Sequence, residues 1–130
     1  MDLWENYKTS VFLCHQSLGD QIDFAIISAQ NPKGEIYPLQ HNLTLNREFE
    51  THLNDLHLPY RTLIGASPDL TFQENSFAVL CDKAIALDMA LQFDQNAIYW
   101  VEAGQLFLVP ALMPQNEEYL GLYCQRQIVL

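Results

Sequence analysis

The stretch Phe24–Gly34, FAIISAQNPKG, constrains the fold more than any other part of the chain. Phe24 to Ala29 is a nearly continuous apolar run of strand length, which predicts a central strand covered on at least one face. Asn31-Pro32 stops it. Pro32 pushes Asn31 out of helical geometry, and Lys33-Gly34 completes a turn.

The segments that follow read as elements folded back around that strand. Residues 40–57 have helical periodicity, with Asn42, Asn46, Phe49, Leu53 and Leu56 on one face. The lower part of that face is core, whereas its first turns carry two asparagines. Pro59 ends the helix, and Tyr60 to Gly65 is a strand. Pro68-Asp69 marks a turn, and Phe72 to Leu80 is a strand with Glu74 and Asn75 in its opening half. Asp82 is a suitable N-cap for a helix running to about Phe93. That helix is apolar over most of its circumference, which predicts cover from more than one element. Ala97 to Val101 and Gln105 to Val109 form a hairpin around Ala103-Gly104. Residues 1–10 read as a short helix or a packed arm, and Val11 to Cys14 as a short strand. Leu120 to Cys124 and Gln127 to Leu130 read as a last strand or a wrap around the body.

Strand, helix, strand, strand, helix, strand is the ferredoxin-like, split βαβ order. The expectation is an α+β fold: an antiparallel sheet with two helices on one face, and extra edge strands from residues 11–14 and 105–109. The length fits one domain, residues 1–130. Its core is about 22–110, with an N-terminal arm, 1–21, and a C-terminal segment, 111–130, packed on it.

In this topology Asn31, Asn42, Asn46, Asp69, Glu74, Asn75, Gln95 and Asn96 gather at one end of the sheet. Two readings follow. In one, the amides and the carboxylate satisfy loop backbone and cap helices. In the other they form a shallow polar pocket, with Asn31, Asn42, Asn46, Asp69, Glu74 and Gln95 as candidate ligand-binding residues. There Glu74 binds a cationic or hydrogen-donating group. If the protein is an enzyme, Glu74 is the general base beside Asn31 and Asn46; no other catalytic residue is assigned.

Six basic residues against sixteen acidic ones, a net charge of −10, argue against direct nucleic-acid binding and docking on anionic membranes. The acidity admits a further reading, an interaction or inhibitor protein that blocks a basic surface. The longest apolar runs are too short to span a membrane, and MDLWENYK does not read as a signal peptide. Cys14, Cys81 and Cys124 form no CxxC and leave an odd count, which points away from disulfides and structural zinc and toward the cytoplasm. His52 and His57 do not share a helix face, and His41 and His52 are far apart along the axis, so no metal site is expected. The Asn31–Gly34 turn is too short for a phosphate loop, and no cofactor is expected. Tyr99, Trp100, Phe107 and Leu108 give the hairpin two apolar faces. Either the N-terminal arm and C-terminal segment cover one of them, or a second copy does, so the chain is a monomer or a homodimer.

One resemblance emerges from these residues. The series Ile26-Ile27-Ser28-Ala29-Gln30-Asn31-Pro32, then Asn42 and Asn46, then Gly65, Pro68-Asp69, Glu74 and Ser76, then Phe93 to Ile98 resembles the bacterial domain of unknown function numbered 3293. The resemblance covers roughly residues 22–110. It implies a small bacterial protein with no established activity, an aromatic at position 30, where this chain has Gln30, and a glycine at position 94, where it has Asp94. The combined expectation is a non-enzymatic binding or regulatory module acting on an unidentified small molecule or protein through the Asn/Glu end of the sheet.

Overall fold

The computed structural model describes residues 2–130. Three helices, α1 (Leu3–Tyr7), α2 (Leu39–Asp55) and α3 (Lys83–Gln92), accompany eight strands. These are β1 (Val11–Cys14), β2 (Phe24–Ser28), β3 (Tyr60–Ala66), β4 (Gln73–Val79), β5 (Ala97–Glu102), β6 (Gln105–Pro110), β7 (Glu118–Leu122) and β8 (Gln127–Val129). Together they make an α+β fold with one sheet, in the order β7-β6-β5-β2-β4-β3-β1-β8. Every neighbouring pair is antiparallel except β1 and β8, which run parallel, so the sheet is mixed. Residues 11–14 and 105–109 do add strands, but they are not the edges. The edges are β7 and β8.

The sheet curls tightly. β1 and β5 are four strand intervals apart, about 19 Å in a flat sheet, yet Phe12 and Tyr99 meet with ring centroids 4.9 Å apart. The two edge strands are seven intervals apart, roughly 34 Å if flat. The chain crosses from Leu122 to Gln127 in a span of at most about 18 Å. The edges therefore converge. Arg126 clasps that seam: Nη1 donates to the carbonyls of Lys8 and Ser10 at 2.9 and 3.0 Å, and Nη2 to Leu120 O at 3.3 Å.

Strand alternation sends side chains to two cores. On the convex face Ala25, Ile27, Phe77, Val79, Ile98 and Trp100 pack under Phe49 and Leu53 of α2 and Ala86, Met89 and Ala90 of α3. On the concave face Phe12, Phe24, Ile26, Ala78, Val101 and Leu106 close around Tyr123 from the turn between β7 and β8. The N-terminal and C-terminal segments thus cover the inner side of the β5–β6 hairpin. Tyr99 Oη donates to Tyr7 O at 2.6 Å.

Three local expectations are corrected. α3 is covered on one side only, leaving Ile85 and Leu91 exposed, because the single convex layer buries Ala86, Met89 and Ala90 and covers Leu87 only in part. Asp82 occupies the N-cap position of α3 without a side-chain capping bond. Leu56 is 47% exposed, because α2 ends at Asp55 and the chain turns through a left-handed His57.

Candidate ligand-binding site

The turn after β2 is built on unusual backbone. Asn31 (φ 50°), Lys33 (φ 58°) and Gly34 (φ 77°) all take positive φ. Asparagine tolerates that region better than most residues, whereas lysine there is strained by about 1–3 kcal/mol. Side chains and distant backbone hold the turn. Asn31 N donates to Asn42 Oδ1 at 3.0 Å, and Asn42 Nδ2 donates to Asn31 Oδ1 at 2.9 Å and to Tyr37 O at 3.2 Å. Tyr37 N donates to Asn31 Oδ1 at 3.0 Å, and Lys33 N to Asp94 O at 2.7 Å. Gly34 is fitted against α1: a Cβ at this position would lie 2.6 Å from Leu3 Cδ1 and 3.0 Å from Asn96 Nδ2.

The free hydrogens of Asn31 point to the other side of the sheet, where Nδ2 donates to Glu74 Oε2 at 3.0 Å. Glu74, Ser76 and Ala78 alternate on β4 with Phe77 and Val79, which face the helices. Glu74 is therefore on the concave face, at the open end of the curled sheet. A cavity of about 870 Å³ lies there. Ile26, Leu108 and Phe12 supply apolar wall, and Ser28, Ser76, Tyr7 and Asn96 supply polar groups. Gly65 on β3 leaves part of the wall without a side chain; a Cβ there would meet Ser76 Oγ at an ordinary 3.5 Å. Leu3, Ile36 and Phe72 stand partly exposed at the rim.

Burial pushes the Glu74 carboxyl above its usual range, and the hydrogen bonds from Asn31 and Ser28 offset this only in part. Burial likewise raises the Tyr7 phenol, whose oxygen accepts from Asn96 Nδ2 at 3.1 Å. The Tyr99 hydroxyl is held by Tyr7 O and by Ser10 Oγ at 2.8 Å; burial raises its pKa, and the bond to Ser10 offsets this only in part.

The six candidate residues divide into two groups. Asn31, Glu74, Gln95 and Asp69 line the cavity. Asn42 and Asn46 do not, because they project from α2 on the convex side. Asn42 buttresses Asn31, and Asn46 Nδ2 donates to Gln30 Oε1 at 3.2 Å while its own buried Oδ1 has no partner among the described residues. Asn46 is thus not beside Glu74. Asp69 sits on the exposed β3–β4 loop, where Ser67 Oγ, Thr71 Oγ1 and Thr71 N all donate to its Oδ1. Those bonds hold its carboxyl below the usual range. Gln95 Nε2 donates to Gln30 O at 3.3 Å and Phe93 O at 3.2 Å. The pocket is also deeper and more apolar than the shallow polar one expected, since the curl places a wall of β1, β5 and β6 side chains opposite Glu74.

Sequence reasoning missed Tyr7, Tyr99, Ser28 and Gly65. The alternation on β4 was a usable signal for the last two: the strand neighbours of Glu74 and Ser76 face the same way, and Ser28 and Gly65 pair with Ser76 and Glu74 in register. Nothing local marks Tyr7. Among the described residues no group of three or more His, Cys, Asp or Glu is arranged to hold a metal, and no helix is long and apolar enough to cross a membrane.

A family model described as "Protein of unknown function (DUF3293)" matches residues 27–98. No curated protein and no solved structure matches the chain. The matched span holds the Asn31 turn, α2, β3, β4 and α3, whereas the α1 and β1 walls of the cavity lie outside it.

Proposed function

This chain belongs to the DUF3293 family of proteins of unknown function, and from that premise we propose that it is a binding module for a small molecule held in the mouth of its curled sheet. One observation carries the reading: a cavity of about 870 Å³, with apolar walls and a few convergent polar groups, is built against a strained, fully braced turn. Ligand sites have this size and composition and favour the mouths of curled sheets and barrels. The apolar body of the ligand lies against Ile26, Leu108 and Phe12, and its polar end meets Glu74, Tyr7 and Gln95. Asn42 and Asn46 serve by holding the turn from behind.

The sheet order β5-β2-β4-β3, with α2 and α3 packed on one face, supports a split βαβ core to which the remaining strands add the concave wall. Three free cysteines and the excess of acids support a cytoplasmic setting and a partner that is not nucleic acid.

Gly65→Leu provides the test. It projects a side chain into the cavity from a strand position that accommodates a Cβ. A thermal-shift screen of small apolar and amphipathic metabolites should give hits for the native protein, about 2.7 kcal/mol at a hundredfold excess over Kd. Gly65→Leu should lose them while staying folded. An empty screen, or hits that survive Gly65→Leu, would remove the proposal.

A second reading is favoured by the raised carboxyl of Glu74 in a cleft. A carboxylate so desolvated is a competent general base. In that case Glu74→Gln abolishes turnover of a bound compound without abolishing its binding; turnover retained in the variant excludes it.

A further inference from the structure

We infer that the cavity selects an organic cation, an ammonium group carried on an apolar body of roughly aromatic size. The inference rests on the small-molecule reading above and adds the charge of the ligand.

Charge balance is the first argument. Asp69 and Glu74 line the cavity, and among the described residues no Lys, Arg or His does. A buried anion would meet no counter-charge and would lose its hydration without replacement. A cation would instead pair with a carboxylate that is already partly desolvated.

The second argument is the hydrogen-bonding capacity left over. Asn31 donates to Oε2 of Glu74 at 3.0 Å and Ser28 is the other hydrogen-bonding neighbour of the carboxyl, which as a carboxylate can still accept from a ligand. Gln95, only 7% exposed, spends its Nε2 on the carbonyls of Gln30 and Phe93, which leaves Oε1 as an acceptor. The three bonds to Asp69 all fall on Oδ1, leaving Oδ2. The Tyr99 hydroxyl is already committed to Tyr7 O and Ser10 Oγ. The two carboxylates and Gln95 thus offer acceptors that a donating ligand satisfies, with the Tyr7 hydroxyl beside them as a neutral group.

The rings of Tyr7, Tyr99 and Phe72 line the same space, and aromatic faces attract cations. The net charge of −10 concentrates cations around the whole molecule.

Three matched indoles test the charge directly: tryptamine, tryptophol and indole-3-propionate, titrated by calorimetry into the native protein, Glu74→Gln and Gly65→Leu. The expected order is amine tightest and acid weakest. Glu74→Gln should weaken tryptamine about tenfold or more, the loss of one charge-assisted bond, and weaken tryptophol by much less. The inference is overturned if the acid binds as tightly as the amine, if Glu74→Gln leaves tryptamine unaffected, or if none of the three binds. Equal binding of all three, abolished by Gly65→Leu, would overturn the cation while leaving the cavity reading intact.

Discussion

Asn42 and Asn31 hold each other by two reciprocal hydrogen bonds, 3.0 Å from backbone N–H to Oδ1 and 2.9 Å from Nδ2 to Oδ1. The pair joins α2 to the turn across buried space, and the second amide hydrogen bond of Asn31 continues to Glu74. Removing Asn42 orphans the buried N–H of Asn31 and frees the turn. Asn42→Ala should therefore destabilise by about 2–3 kcal/mol in urea unfolding. A loss below about 0.5 kcal/mol would show that the turn is braced without it.

Glu74→Gln keeps an oxygen to accept from Asn31 and removes the ionisation. The folded protein raises the Glu74 carboxyl above its unfolded value. Such a group contributes stability fully present below its unfolded pKa, about 4.3, and loses it as pH rises through the folded value. The variant should gain on the native protein as pH rises from about 4.5 to 8. Melting temperatures across that range check this, and a gap that does not change with pH would contradict it.

Gly34→Ala meets two obstacles at once, a φ of 77° and a Cβ 2.6 Å from Leu3 Cδ1. Left-handed backbone costs about 1–2 kcal/mol for an L-residue, and forced overpacking typically about 1–3 kcal/mol. The expected loss is thus about 2–5 kcal/mol by urea unfolding. In a Leu3→Ala background the packing part should be recovered and the backbone part should remain. Equal losses in both backgrounds would show that α1 is not what Gly34 accommodates.

Tyr123 is buried to 2% exposure beside Phe12 and Phe24, and its hydroxyl has no partner among the described residues. An orphaned buried hydroxyl costs about 1–3 kcal/mol. Tyr123→Phe should stabilise by about 1 kcal/mol in the same assay. A loss of similar size would mean that a partner for the hydroxyl exists in solution.

Local chemistry made the elements from β2 to β6 legible. The helix read at 40–57 is Leu39–Asp55, and Ala103-Gly104 turns the hairpin as Asn, Asp and Gly signals do elsewhere. The gathering of Asn31, Glu74 and Gln95 at one end followed from strand and helix directions alone. Even the two positions set apart from the family pattern have readable roles. Asp94 takes φ 54°, a conformation in which glycine is the usual residue, and Gln30 uses its amide oxygen to accept from Asn46 and the Asn75 backbone. The curl was not legible. It depends on Arg126 reaching Lys8, Ser10 and Leu120, and on rings from β1, β5 and the last turn meeting inside. Those contacts join residues far apart in sequence, and a period of two says nothing about which strands become neighbours. Without the curl, the far wall of the cavity and Tyr7 were out of reach, and Asn46 looked as close to Glu74 as Asn31 is.

The Arg126 clasp also has a consequence for the order in which the molecule is assembled. β1 precedes both of its partners, β3 and β8, the latter more than 110 residues downstream. Phe12 N–H bonds to the carbonyl of Arg126 itself. During synthesis the N-terminal segment must wait, unpaired on that side, while the helix-covered face from β2 to β5 can already form. Loop closure over such a distance is slow compared with local pairing. The concave chamber therefore closes on a contact between distant parts of the chain, whereas the convex layer is built from segments that follow one another closely.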